Sequence, residues 1–278
     1  MTLGRDERAV SVVIGAVLML AIVVAALAIY QTTVVPGENG DVEAAHNEEI
    51  TGDLVELRSA IANAASEETA RSVPLGLGTT YETRSFAINP PDPMGAIESE
   101  RMDENVTIEI DGDERLDVAS HVLRYEPGYH EFDGPTSYLE HGHLHQAFSD
   151  GTVSVVEPMF GASTATIPIV DGEVAETTSG TVSVDVETIE PRQTAAIDEY
   201  ATVTVPTHEP DVWAGVLDET DGVSVTDSGV DWIAFELDGE YFDTVAVAGI
   251  GVGKPADGVD LDSFGDPGQG VDPPGQDR

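Results

Sequence analysis

From residue 9 to residue 30 the chain carries no charge, and Ser11 and Gly15 are the only interruptions in a run of Val, Ile, Leu, Ala and Met. A run that is apolar on every face does not suit the surface helix of a water-soluble domain, which needs a polar side. About 20 apolar residues cross a bilayer core as a helix, and residues 10–30 supply that length. A single membrane-spanning helix is therefore expected within 10–35. Tyr30 and Gln31 suit the outer interface, where a ring with one polar end is favoured. Pro36, Gly37, Asn39 and Gly40 then predict a break at the membrane surface.

The period changes next. Val42, His46, Ile50, Leu54, Leu57, Ile61 and Ala65 recur at spacings of three and four, which predicts an amphipathic helix over 41–66. Asp41, Glu43, Glu48, Glu49, Asp53 and Glu56 fall on the other faces and predict a solvated side. His46 lies on the apolar stripe and is expected to be packed. After Ser72 the pattern alternates with a period of two, broken by turn residues. Strands are expected at 106–110, 121–125, 151–156, 165–170, 182–189, 201–205, 223–226, 232–237 and 241–249, with one short helix at 210–217. Asp111-Gly112-Asp113, Asp150-Gly151, Asp171-Gly172 and Asp238-Gly239 are turn signals, the last three also hairpin signals. Trp213, Trp232, Phe235, Tyr241 and Phe242 are expected to close the core. Residues 254–278 are rich in Gly, Pro and Asp and are predicted disordered. The fold class is α+β: a transmembrane helix and an amphipathic helix, then a mainly antiparallel, sandwich-like β domain over 72–253.

Charge changes the picture. Acidic residues number 53 against 11 basic ones, a net charge of −42, and Lys254 is the only lysine. Such a surface repels itself in dilute buffer. At molar salt the Debye length falls to about 3 Å, so a protein built for concentrated salt is expected. No basic patch exists for nucleic acid. The absence of cysteine removes disulfides, thiolate metal sites and thiol nucleophiles. Arg5 and Arg8 precede the apolar run and the acidic bulk follows it, so the N-terminus is expected in the cytoplasm and the domain outside.

The run is longer than a secretory signal and is not followed by a clear A-x-A site with a polar flank, although Ala25, Ala26 and Ala28 keep such a cut open. The order of residues is more telling: Arg8-Ala9, then Val10-Ser11-Val12-Val13-Ile14-Gly15-Ala16-Val17-Leu18-Met19. This resembles the class III signal peptide of archaeal type IV pilins and archaellins, haloarchaeal ones above all. Val12 stands where those pilins have proline, and Ile14 where the bacterial version has glutamate. The resemblance implies removal of residues 1–9 by a prepilin peptidase that reads Arg8, Ala9 and Val10. It also implies that the apolar helix is retained and packs with other pilin-like subunits. Residues 30–65 further resemble an uncharacterised haloarchaeal family of long surface proteins with pilin-like N-termini, which implies surface placement and adds little about function.

Candidate chemistry is sparse. Glu140 is followed by His141, His143 and His145, with His130-Glu131 nearby, and five of the seven histidines fall in 121–145. On a strand the three alternate histidines would project from one face and could bind Zn, Ni or Cu; the plainer alternative is a polar outer face with Leu144 turned inward. Acidic pairs such as Asp111/Asp113/Glu114 and Glu187/Glu190 are expected by chance at this composition. No nucleophile elbow, HExxH or phosphate loop occurs. Asn105-Val106-Thr107 is the one glycosylation sequon. No cofactor is called for and no catalytic pair stands out. The expected function is a pilin-like, membrane-anchored surface protein, a filament subunit or adhesion component. The alternatives are an uncleaved single-pass protein whose ectodomain binds an envelope partner, and an extracellular metal binder.

Overall fold

The apolar run does not stop where its proline and glycines suggest. In the computed structural model, which describes residues 6–254, 258–261 and 264, with side chains from residue 11, helix α1 (Asp6–Ile29) passes through a π-helical turn (Tyr30–Val34) into α2 (Val35–Glu67). Segments of 24, 5 and 33 residues run on without a break. The expected interruption at Pro36–Gly40 is thus a correction, and the wide turn explains it. Val35 donates its N–H to the Tyr30 carbonyl, five residues back. In a regular helix the Pro36 ring would press on the carbonyl four residues back and leave it unpaired; one wide turn just before the proline accommodates both effects. Glu68, in the left-handed region at φ 53°, ends α2.

The buried stripe of α2 starts before residue 41 and takes in polar residues in its first half. It comprises Val35, Asn39, Glu43, His46, Ile50, Leu54, Leu57, Ile61 and Ala65, joined by Ala60 and Ala64. Glu43 takes the place expected for Val42, a second correction. Its carboxylate accepts the N–H groups of His130, Glu131 and Phe132 at 2.9, 2.7 and 2.8 Å, and the Tyr81 hydroxyl. Four donors offset the cost of burying the charge, and they hold its pKa below the usual carboxylate range although burial pushes the other way. His46 is packed as expected, between the Tyr129 hydroxyl at 2.6 Å and the Gly76 carbonyl at 2.8 Å.

The strands form three sheets. In the first, β1 (Ala70–Gly76), β11 (Thr181–Ala196), β15 (Thr244–Val252) and β9 (Thr164–Asp171) lie in that order. In the second the order is β10 (Ala175–Thr178), β2 (Gly95–Arg101), β5 (His121–Glu126), β6 (Thr136–Glu140), β7 (His143–Phe148) and β8 (Gly151–Val156). In the third it is β13 (Val223–Ser228), β14 (Trp232–Asp238), β12 (Tyr200–Pro206), β3 (Val106–Ile110) and β4 (Asp113–Val118), with helix α3 (Pro210–Asp218) beside them. Among the described residues every pairing is antiparallel except β9 with β15. That parallel pair is buried on both faces, as parallel strands generally are. Ala248, Ile250 and Val252 join a core with α2 and the second sheet. Val245 and Val247 join another with Trp213 and Phe235. The α+β class with mostly antiparallel strands holds, arranged as two cores on either side of one shared sheet rather than as a simple sandwich.

Two turn signals do not make hairpins. At Asp238-Gly239 the chain passes from β14 in the third sheet to β15 in the first, and at Asp171-Gly172 it leaves β9 for β10 in the second. Gly172 has φ 129°, and a Cβ there would sit 2.2 Å from the Val252 carbonyl oxygen, so the crossing needs glycine. Within the segment expected to be disordered, Val259, Leu261 and Phe264 are buried in the core beside Trp213. Residues 255–257, 262–263 and 265–278 of that segment lie outside the described residues.

Candidate functional site

Two features stand apart from an ordinary packed domain. The first is the helix itself over 11–29. Every side chain there is exposed, Met19 and Ile22 at 69% and Val12 at 73%. At about 1.5 Å per residue this bare apolar rod is roughly 28 Å long, close to the thickness of a bilayer core. Among the described residues it is the one helix long and apolar enough to cross a membrane. Water alone is a poor surrounding for it, since exposed apolar surface of this extent marks a membrane or interaction site. Arg8, Ala9 and Val10 lie on its helical backbone; their side chains are outside the described set.

The second feature is the histidine cluster, which differs from the expectation. The β6–β7 hairpin closes through His141-Gly142, at φ 49° and 83°. Two consecutive positive φ values are what a tight two-residue hairpin requires. His141 is therefore a turn residue and not part of an alternating triplet; its Nε2 lies 3.1 Å from the Pro206 carbonyl. His143 and His145 do alternate on β7, but their face is not the outer one. Leu139 and Leu144 enter the α2 core, while Tyr138, Glu140, His143 and His145 meet α3 and the segment before it. His143 packs edge-on against Trp213 at 4.8 Å and reaches the Ser154 hydroxyl at 2.9 Å. His145 lies between Tyr138 and His143, with ring centroids 5.3 and 5.1 Å away.

Glu140, fully buried, organises this layer. One oxygen accepts the His208 N–H at 3.0 Å and lies 2.9 Å from His208 Nδ1. The other accepts the Thr207 hydroxyl at 2.5 Å and the Trp213 indole N–H at 3.3 Å, with His145 Nε2 at 4.0 Å. Burial pushes the Glu140 carboxyl up, but the His208 and Thr207 hydrogen bonds and the nearby His145 hold it down at about 2. Burial lowers His141 and His145, and takes His143 down to about 3, with His145 and Arg58 adding to the effect. The Glu140 hydrogen bond raises His208. The layer thus favours the charged forms of Glu140 and His208 and the neutral forms of His141, His143 and His145.

His208 also forms part of a surface cleft of about 520 Å³ with Glu100, Asp103, Glu104, Asp231 and Trp232. Its Nε2 lies 3.4 Å from the Glu100 carboxylate. Clamped between the carboxylates of Glu140 and Glu100, it joins the end of the third sheet to the second. The three histidines expected as ligands do not converge. Among the described residues no group of three His, Asp or Glu side chains is placed to hold a metal ion.

The sequon residue Asn105 sits just before β3, where its amide donates to Asp117 Oδ1 at 2.6 Å. A glycan on that nitrogen would disrupt this bond. Asp111 caps a turn instead of pairing with Asp113: its Oδ1 accepts the N–H groups of Glu199 and Tyr200 at 3.0 and 3.1 Å. Thr207, His208 and Arg58 were not singled out by sequence. Arg58 crosses from α2 to donate to the carbonyls of Gly142 and Glu157 at 2.9 and 3.1 Å. Nothing local in the sequence marks these three, because the partners named above lie 67 to 108 residues away.

Comparison with known proteins adds little. A chain of Archaeoglobus fulgidus described as "Uncharacterized protein" is 26% identical over 165 residues, which is 55% of this chain and 28% of the relative. The match thus spans under a third of that relative's length. No family model matches the chain, and no solved structure matches it.

Proposed function

We propose that this is a pilin-like, membrane-anchored surface protein that displays its acidic β domain outside the cell. The observation that carries the reading is the bare apolar helix over 11–29, which its own domain leaves uncovered. A bilayer or the apolar core of a bundle of identical helices would cover it. Gly15, Ala16, Ala21, Ala25, Ala26 and Ala28 would allow close approach of such helices. The arginine–alanine junction before the run supports removal of residues 1–9 by a prepilin peptidase. Arg5 and Arg8 before the helix and acid beyond it support an outward domain. The acidic, lysine-poor surface supports life in concentrated salt, and no enzymatic activity is assigned.

Mass spectrometry of the protein purified from its native membranes tests the processing. A mature N-terminus at Val10, and accumulation of a heavier form in an Arg8→Ala/Ala9→Leu variant, are expected. An intact Met1 terminus in membrane-bound wild-type protein would reject processing and leave an uncleaved single-pass anchor. Recovery of the wild-type protein in sheared surface filaments would identify the bundle, and recovery only from membranes the anchor.

A further inference from the structure

The connection between β1 and β2 is long, lacks strand or helix over 77–94, and is nevertheless tied down along one side of the helix. Its ties form a ladder that descends the helix. Tyr81 donates its hydroxyl to Glu43. Arg84 donates to Asn39 Oδ1 at 2.9 Å and Glu38 Oε2 at 3.0 Å. Ile88 and Gln31 form a reciprocal pair: the Ile88 N–H donates to the Gln31 side-chain oxygen at 2.9 Å, and the Gln31 amide donates to the Ile88 carbonyl at 2.8 Å. From Glu43 to Gln31 is about 18 Å of helix at 1.5 Å per residue. The returning limb is fixed to the outgoing one, with Asn89 donating to the Glu82 carbonyl at 2.8 Å and Asp92 accepting the Tyr81 N–H at 3.1 Å. Residues 81–92 thus form a finger that points back along the helix and ends level with Gln31, next to the bare apolar rod.

The tip of this finger is unlike the rest of the surface. Phe86 is 84% exposed and Ile88 81%, among the most exposed large apolar side chains of the β domain. No charge occurs from Ser85 to Pro91, in a chain where 23% of residues are charged. A polar tip would serve a loop in water equally well. Two large apolar side chains held out by backbone-anchoring hydrogen bonds, at the height where Tyr30 marks the interface, suit a layer that is half lipid and half water.

We propose that the finger is a second membrane contact, with Phe86 and Ile88 inserted into the outer interfacial layer of the bilayer that the helix crosses. The proposal rests on the membrane reading above and adds a fixed tilt. A helix alone leaves the domain free to lean and spin; a helix and a finger define a plane.

The absence of cysteine makes the test direct. Phe86→Cys, Ile88→Cys, Ile22→Cys and Val230→Cys variants of the full chain are labelled with an environment-sensitive fluorophore. They are then reconstituted in phosphatidylglycerol vesicles at molar potassium chloride. Nitroxide lipids carrying the quencher near the headgroup or deep in the acyl chain report depth. Quenching at positions 86 and 88 by the shallow probe, with a blue-shifted emission, is expected. The label at 22 should respond to the deep probe and the one at 230, exposed on the β13–β14 loop, to neither. Quenching at 22 but not at 86 or 88 would overturn the finger contact and leave the anchor standing. Loss of quenching at 22 would overturn the membrane reading and this proposal with it. Labels at 86 and 88 shielded from both lipid nitroxide and aqueous iodide would overturn it in favour of a contact with a second copy.

Discussion

The helix that begins at Asp6 and ends at Glu67 has two halves with one backbone geometry and opposite surroundings. Over 11–29 no side chain is buried and no charge is present. Over Val35–Glu67 one stripe is buried, and it includes the charged Glu43 and the polar Asn39 and His46. The first half has no sides: it is apolar all round, as a helix meant for a uniformly apolar surrounding would be. The second half has sides, because water and a protein core lie across from each other. A buried charge is tolerated in the second half only because the 130–132 backbone brings donors to it. The same residue in the first half would meet none.

That contrast can be broken most severely from the apolar side. A Val23→Asp substitution should cost about 3 kcal/mol of insertion, roughly a hundredfold in partitioning. The protein should move from the membrane pellet to the soluble fraction while the melting temperature of the β domain stays put; unchanged pelleting would count against the anchor. From the buried side, Leu57→Ala should cost about 2–5 kcal/mol of domain stability through the cavity it leaves. Chemical denaturation of the solubilised protein should reveal this with no change in membrane recovery.

A third test uses pH, since the described apolar half has no titrating group and the domain has a buried histidine layer. His143 is depressed from 6.5 to about 3, so the unfolded chain takes up its proton more readily. Its contribution is complete above pH 6.5 and is lost as pH falls toward 3. Glu140, lowered from 4.5 to about 2, adds a loss in the same direction below 4.5. His208, raised by Glu140, works the other way: its contribution is complete below 6.5 and fades as pH climbs through its folded value. Thermal stability should therefore fall on acidification below 6.5, and His143→Phe should flatten that fall. An equal slope in the variant would show that the acid sensitivity lies elsewhere. The smallest effect is expected at the junction. Gln31→Ala removes two hydrogen bonds at a partly wet site and should cost on the order of 1 kcal/mol, visible as faster proteolysis within 81–92.

Much of the architecture could be read from local pattern, and the misreadings share a cause. Alternation located the strands at 106–110 and 151–156 to the residue, because one face of each meets a core and the other does not. It missed β7, where both faces are covered and the buried side is made of histidine. Glu43 lies three residues before His46 on the stripe, so its spacing was legible; its chemistry argued for water, and only the distant donors at 130–132 and Tyr81 reverse that. Asp238-Gly239 has the residues of a hairpin turn, but a dipeptide does not reveal which sheet receives the next strand. The Glu140–His208 clamp was visible only as a cluster of histidines, since its other half lies 68 residues further along.

The unbroken passage through Tyr30–Val34 gives the number of residues in the helix before it a meaning beyond length. In a helix each residue advances the azimuth by about 100°. Removing one residue from the α-helical stretch before that turn would therefore swing the whole β domain by over a quarter of a revolution about the helix axis while shifting it by only about 1.5 Å. A flexible tether would absorb such a change unnoticed. Here the compass bearing of every surface of the β domain is written in a residue count.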